Sequence, residues 1–149
     1  MNRYFIELAY DGNKYHGWQI QPGAPSVQEE LNRALSTIMR EKINVVGAGR
    51  TDTGVHASFY VAHFDSQKPI TLPEQLVYKL NRFTGKDIAI SRIYQVSPDW
   101  HARFSALSRT YKYYIDKQKN PFTSNYAWKV FPLPDTYKMN EACRVLFDY

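Results

Sequence analysis

The sequence contains a single cysteine, Cys143, so an intramolecular disulfide framework is excluded. It has no apolar run near the roughly 20 residues that a membrane-spanning helix needs, and its first residues lack the hydrophobic stretch of a secretory signal. Acidic residues are outnumbered, with 14 Asp and Glu against 19 Lys and Arg, a net charge of +5. We therefore expect a cytoplasmic, basic protein that does not associate with membranes.

Aromatic residues, in contrast, are abundant. The 149 residues include 12 tyrosines and 8 phenylalanines. A basic surface that also exposes aromatic rings suits RNA, because cations contact phosphates and rings stack on bases. The composition thus favours a nucleic-acid partner without identifying it, since many soluble proteins are mildly basic.

The first hundred residues alternate between strand-like and helical patterns. Ser26 precedes Glu29 by three residues, and Thr71 precedes Glu74 likewise, which is the spacing of a helix-capping box. The predicted elements are strand 3–10, helix 27–41, strand 43–46, strand 58–65, helix 71–84 and strand 88–96. This order predicts an α+β fold of the split βαβ, ferredoxin-like type: an antiparallel four-stranded sheet with both helices on one face. Whether the second and third strands pair as a hairpin stays open.

The remaining residues predict the beginning of a second half. Residues 103–115 have the pattern of a long strand or strand pair, a proline-containing connection follows over 120–136, and a helical pattern runs from Thr136 to the last residue, Tyr149. We expect an N-terminal ferredoxin-like half over 1–102 and a truncated second half over 103–149. The helical pattern ends without Gly or Pro, which indicates the front part of a longer protein.

The sequence GAGRTDTGVHA, at 47–57, is the most distinctive segment of the chain. A dinucleotide-binding loop needs Gly-x-Gly-x-x-Gly followed by a helix, but here the third glycine is displaced and a strand-like segment follows. The Asp-Thr-Gly core also resembles half of an aspartic protease site, in which two carboxylates share a proton. Arg50 is expected to lie on the same side of the extended chain as Asp52 and to keep its carboxylate ionised, which argues against that chemistry.

A metal site is not predicted, because the four histidines are scattered and no paired ligand spacing occurs. What remains is an ionised carboxylate in a glycine-flanked loop on a basic, aromatic surface. Such a carboxylate can be a nucleophile. The alternative interpretation is that Asp52 only caps a turn and pairs with Arg50.

Several segments, taken together, resemble the TruA family of tRNA pseudouridine synthases. Besides the 47–57 loop, they are YDG at 10–12, YHGWQ at 15–19, SVQEEL at 26–31, DWHARFSA at 99–106 and RTYKY at 109–113. They are spread over the whole chain and occur in the order that the family has.

The resemblance implies a pseudouridine synthase fold and isomerisation of uridine to pseudouridine in the tRNA anticodon stem-loop, without metal or organic cofactor. Asp52 matches the family's catalytic aspartate, and Arg50 matches the arginine that pairs with it and helps to hold the base out of the stack. Tyr111 matches the tyrosine that packs against the target base. Such a base leaves the helix at a cost of a few kcal/mol, and stacking on an aromatic ring returns about 1–3 kcal/mol.

Arg103, Arg109 and Lys112 would then contact RNA phosphates, which positions the RNA without selecting its sequence. The family resemblance also favours a homodimer in the full-length protein. Family members are longer and contain a second, similar half that contributes to the active site, so we expect these 149 residues alone to have little or no activity.

Two other classes of protein share the predicted fold. RRM domains bind RNA on an open sheet, and Gly54–Val61 loosely resembles one of their sequence strings, although the basic residue before its glycine is missing. A small-molecule enzyme or sensor with a ferredoxin-like fold would have no affinity for RNA.

Overall fold

The computed structural model describes residues 1–147, and the chain divides into two compact units, Met1–Ser108 and Arg109–Tyr149. In the first unit the chain forms β1 (Asn2–Tyr10), α1 (Val27–Met39), β2 (Val46–Gly47), β3 (Ala57–Ser66), α2 (Pro73–Phe83) and β4 (Ile88–Val96). The four strands form one antiparallel sheet in the order β2-β3-β1-β4. This confirms the predicted α+β fold.

The alternation of β1 separates the two faces of this sheet. Four alternate residues of β1 are buried in one continuous apolar core that also contains the buried side chains of α1 and α2: Tyr4, Ile6, Leu8 and Tyr10. Both helices therefore cover the same face, as predicted, and within the first unit the other face, which we call the helix-free face, carries no helix.

The two helices begin differently. The hydroxyl oxygen of Ser26 accepts a hydrogen bond from the Glu29 N–H at 3.3 Å, so α1 has its predicted N-cap. The capping box expected at Thr71 is wrong, because α2 has Leu72 as N-cap residue without a side-chain cap. Pro73 opens α2 instead, and its fixed φ and missing N–H suit the first turn of a helix.

Strands β2 and β3 pair directly, which settles the open question about the second and third strands. However, β2 is shorter than predicted. The backbone N–H of Ile43 donates to the Ser36 hydroxyl at 2.9 Å, and that of Val45 donates to the Asn32 side-chain oxygen at 2.8 Å. Because side chains of α1 take these donors, the chain before Val46 does not form a strand.

One end of the helix-free face is covered by residues 98–102. The guanidinium of Arg3 donates to both carboxylate oxygens of Asp65, each at 2.8 Å, and to the carbonyl oxygens of Pro98 at 2.6 Å and Trp100 at 3.1 Å. The ring of Phe5 packs edge-on against Trp100, with 6.2 Å between the ring centroids. These contacts fix the segment that leaves β4.

The second unit has little regular structure in its described residues. It contains the two-residue parallel strands β5 (Ile115–Asp116) and β6 (Trp128–Lys129) and the helix α3 (Thr136–Arg144), which Asp135 caps. The long strand predicted over 103–115 is wrong. Apart from Ile115 this segment has no strand partner in the part of the chain that the structure describes, and a strand without a partner leaves its backbone groups unpaired.

The predicted division into functional halves at residue 102 stays a prediction. The end of the helix predicted from Thr136 falls on residues 148 and 149, which lie outside the described residues. Within residues 1–147, no helix has the length and apolar character required to cross a lipid bilayer.

The buried histidine of β3 predicts a stability that depends on pH. Burial lowers the pKa of His63 from 6.5 to about 4, with further lowering from His101 and Arg3 and an opposing effect of Asp65. Between these pH values the unfolded chain binds the proton and the folded chain does not, so the free energy of unfolding falls as the pH falls from about 6.5 to about 4.

The His63→Asn variant has no group at this position that binds a proton in this pH range. The amide oxygen of asparagine can replace the Nδ1 atom of His63, which accepts a hydrogen bond from the Ala102 N–H at 3.2 Å. We expect the difference in unfolding free energy between pH 7 and pH 5 to be smaller in His63→Asn than in the wild type, as measured by denaturant titration. An equal difference in both proteins would contradict the account.

Candidate functional site

The loop between β2 and β3, residues 48–56, carries Arg50 and Asp52. It begins as a continuation of the sheet, because the Ala48 N–H donates to the Val61 carbonyl oxygen at 2.9 Å. It ends in a turn in which the Val55 N–H donates to the Asp52 carbonyl oxygen at 3.2 Å. We call residues 48–56 the aspartate loop.

The segment between β1 and α1, residues 11–25, lies directly against the aspartate loop. We call it the GWQ loop, after Gly17, Trp18 and Gln19. Three hydrogen bonds join the two loops: Trp18 N–H to Thr51 O at 3.1 Å, Gly54 N–H to Tyr15 O at 3.3 Å, and Gly12 N–H to His56 Nδ1 at 3.0 Å. The backbone on both sides of Asp52 is therefore held by the neighbouring loop.

Two tyrosine hydroxyls hold the aspartate loop from the sheet below. The Tyr60 hydroxyl donates to the Gly49 carbonyl oxygen at 2.5 Å and accepts from the Gly49 N–H at 3.1 Å. The Tyr10 hydroxyl lies 2.9 Å from the Thr51 hydroxyl. Because both tyrosine rings belong to the buried core, they hold the backbone of Gly49 and the side chain of Thr51, on either side of Arg50, relative to the sheet.

A tightly packed aromatic group lies beneath these contacts. The buried indole of Trp18 stacks on the ring of Tyr60 with 4.3 Å between centroids and an interplanar angle of 29°. Gly47 lies so close that a Cβ atom there would overlap both the Tyr60 hydroxyl and the Trp18 ring. The absence of a side chain at Gly47 thus allows the strand to approach the two rings.

The two loops form a cavity of about 510 Å³ that is open to solvent. Its size falls within the range of small-ligand sites, about 300–1,000 Å³. The residues that line it all have polar or charged side chains: His16, Gln19, Gln21, Arg50, Thr51, Asp52 and Thr53. Asp52 is exposed, so a ligand that enters the cavity can reach its carboxylate.

The structure brings Arg50 and Asp52 to the same cavity but does not pair them. Among the residues that the structure describes, no salt bridge joins the two side chains, and the carboxylate of Asp52 accepts no hydrogen bond. The ion pair expected from the sequence is therefore wrong for this structure. Both side chains are exposed, and an ion pair between exposed side chains gains too little free energy to outweigh the conformational freedom that it restricts.

The other predicted site residues lie elsewhere. Arg103 is exposed in the first unit, where its guanidinium lies 5.6 Å from the centre of the Phe104 ring, and it does not line the cavity. Arg109, Tyr111 and Lys112 are exposed residues of the second unit. Their predicted contacts with RNA stay predictions. Within residues 1–147, no cluster of side chains could hold a metal ion.

The part of the chain that contains both loops also matches a known family. The sequence profile of the tRNA pseudouridine synthases matches residues 8–105, well over half of the chain, including every residue that lines the cavity. The chain belongs to the tRNA pseudouridine synthase family. This confirms the family resemblance found in the sequence.

Individual relatives extend the match over the whole chain. A tRNA pseudouridine synthase A of Bacteroides thetaiotaomicron is 54% identical over 149 residues, which is 100% of this chain and 55% of the relative. The protein of the same name from Porphyromonas gingivalis is 49% identical and is covered to 60% of its length. One from a Thermoanaerobacter species is 42% identical over 89% of this chain and 55% of the relative. The chain thus spans a little over half the length of these curated relatives.

The sequence did not identify the residues that build the cavity around Asp52. The YHGWQ segment contributed to the family resemblance, but no residue in it received a role. The structure shows that Trp18 supports the aspartate loop and that Gln19 and His16 line the cavity beside Asp52. The sequence signal that could have pointed to these residues is the YHGWQ stretch itself, because aromatic and amide side chains occur there within a segment that otherwise has the residues of a turn.

A pair of glycine substitutions tests whether the contact between the two loops is essential. Gly17 and Gly23 both have positive φ, 85° and 73°, so alanine is strained at either position by roughly 1–2 kcal/mol. At Gly17 a Cβ atom would also overlap the Thr51 carbonyl oxygen, whereas at Gly23 no atom lies within 4 Å of it. We expect Gly17→Ala to lower the melting temperature clearly more than Gly23→Ala.

Circular dichroism melting of both variants measures the difference. Since the strain of positive φ is common to both, the difference reports the overlap with Thr51. Equal melting temperatures would show that the two loops do not need their close approach.

Proposed function

We propose that the protein isomerises uridine to pseudouridine in tRNA, and that Asp52 is its catalytic residue. The observation that carries this proposal is the exposed carboxylate of Asp52 in a cavity of about 510 Å³, on a loop whose backbone is held on both sides of Asp52. The support from relatives is that proteins up to 54% identical to the chain carry the name tRNA pseudouridine synthase A. Because the chain spans 55% of that relative, the activity is assigned to the product of the complete open reading frame.

The reaction needs a catalytic group next to the ribose and a site that confines the base after it has been detached. The bond between N1 of uracil and C1′ of ribose breaks, the base turns, and C5 forms the new bond to C1′, after which the proton on C5 leaves and N1 gains one. An ionised carboxylate can act here as a nucleophile or as a base. The fixed loop suits this role, because a catalytic group that is already in position does not have to be ordered during the reaction.

The base must leave the RNA helix before it can enter the cavity. We propose the anticodon stem-loop of tRNA as the substrate, with Arg50 helping to hold the extruded nucleotide and Tyr111 packing against it. Arg103, Arg109 and Lys112 are exposed and can contact phosphates. The cytoplasmic location and the homodimer also remain proposals, which follow from the single cysteine and from the family resemblance.

Substitution of the aspartate tests the assignment directly. In the product of the complete open reading frame, Asp52→Asn removes the charge and keeps the shape, so we expect pseudouridine formation to be abolished. Binding of tRNA should stay within about threefold of the wild type, because the phosphate contacts that dominate affinity are unchanged. Chemical mapping of pseudouridine and filter binding measure the two quantities.

Glu74→Gln is the matched control, since Glu74 is an exposed carboxylate on α2 that does not line the cavity. It should retain full activity. If activity and tRNA binding fell together in Asp52→Asn, Asp52 would be a structural residue. If the wild type bound tRNA but formed no pseudouridine, a non-catalytic RNA-binding module would be the better interpretation.

The salt dependence of tRNA binding provides a second test. Neutralisation of phosphates by Lys and Arg releases counterions, so the logarithm of the binding constant should fall linearly with the logarithm of the salt concentration. We expect this slope to be about −3 or steeper, which corresponds to a few phosphate contacts. Binding that does not depend on salt would favour a small-molecule enzyme with the same fold.

A further inference from the structure

Three glutamines lie close to the cavity, and their amides differ in what they contact. Gln28 uses both ends of its amide: its oxygen accepts from the Ile20 N–H at 3.0 Å and its nitrogen donates to the Val45 carbonyl oxygen at 2.8 Å. The Gln21 nitrogen donates to the His16 carbonyl oxygen at 3.0 Å. The amide of Gln19, in contrast, makes no hydrogen bond within residues 1–147, although this residue is half-buried and lines the cavity beside Asp52.

The backbone around Gln19 is held firmly. The preceding residue, Trp18, donates to the aspartate loop through its N–H and accepts from the Gln28 N–H at 3.0 Å. The following residue, Ile20, donates to the Gln28 side chain. Gln19 is therefore fixed between the aspartate loop and the first turn of α1, and only its side-chain torsions remain to be ordered when a ligand binds.

The chemistry of an amide fits the edge of a pyrimidine base. A glutamine side chain presents one acceptor and one donor side by side. Uracil presents a ring N–H beside a carbonyl oxygen, so the two can form a pair of parallel hydrogen bonds. Enzymes that extrude a base commonly hold it by hydrogen bonds to this edge. The amide can rotate by half a turn, which exchanges the positions of its donor and its acceptor. It therefore fits cytosine as well as uracil, and it would bind either base without discriminating between them.

We propose that Gln19 binds the hydrogen-bonding edge of the extruded uridine and holds the base in the cavity beside Asp52. This inference rests on the proposed function. It assigns a role to a residue whose amide makes no hydrogen bond in the part of the chain that the structure describes and whose backbone neighbours are held on both sides.

The test compares Gln19→Leu with the wild type, both expressed from the complete open reading frame. The substrates are a tRNA with its mapped target uridine intact and the same tRNA with 3-methyluridine at that position, which lacks the ring N–H. For the unmodified tRNA we expect kcat/KM to fall about 10- to 100-fold in Gln19→Leu, as for the loss of one or two hydrogen bonds. The melting temperature should not fall, since the amide of Gln19 makes no hydrogen bond within residues 1–147.

The modified tRNA separates a contact with the base from a structural effect. In the wild type, 3-methyluridine should weaken single-turnover binding and reaction, and in Gln19→Leu it should have little additional effect, because the two changes remove the same interaction. Gln19→Glu, which has nearly the same shape but no donor, should also lose activity and guards against a folding defect of the leucine variant. Gln75→Leu is the matched control, because Gln75 is exposed on α2.

The possible failures are distinguishable. If the wild type forms pseudouridine and both Gln19 variants match it, or if 3-methyluridine has the same effect in the wild type and in Gln19→Leu, the role of Gln19 is refuted and the proposed function stands. If the wild type forms no pseudouridine on any tRNA, the proposed function fails, and the inference about Gln19 fails with it.

Discussion

The close contact between the GWQ loop and the aspartate loop is the constraint on which the site depends. Loops that carry functional groups are commonly mobile, but here the residues on both sides of Arg50 are held by buried tyrosines of the sheet and by the backbone of Trp18. The contact requires that Gly17 and Gly47 have no side chain. Contacts with the buried core thus hold the loop that carries Asp52 in place, although the Asp52 side chain is exposed to solvent.

The fold supplies this arrangement through its topology. Because β3 pairs with β1 on one side and with β2 on the other, the loop between β2 and β3 and the loop after β1 leave the sheet at the same end. The residues that line the cavity all belong to these two loops, and none belongs to α1 or α2. The opposite end of the helix-free face is covered by residues 98–102, which Arg3 binds.

The sequence predicted the elements whose signals are local. The cap at Ser26, the alternation in β1 and the order of the elements gave the α+β fold, and the family resemblance indicated Asp52. Prediction from the sequence failed where contacts between residues that are distant in sequence decide the structure. Asn32 and Ser36 take the backbone donors that would have extended β2. Arg50 and Asp52 line the same cavity without forming an ion pair, and residues 103–114 have no strand partner among residues 1–147. The role of Trp18 and the position of Gln19 could not be predicted, because they depend on how the loop over residues 11–25 meets the loop over residues 48–56.

The central claim is that an extruded uridine enters this cavity with its sugar at Asp52. The most direct measurement is a crystal structure of the Asp52→Asn variant, expressed from the complete open reading frame, with tRNA bound. The account predicts that the target base lies in the cavity and that the side chain at position 52 lies about 3–3.5 Å from C1′ of its ribose, the separation of reacting atoms. A target uridine that stays stacked in the RNA helix, or that lies away from the cavity, would contradict the account.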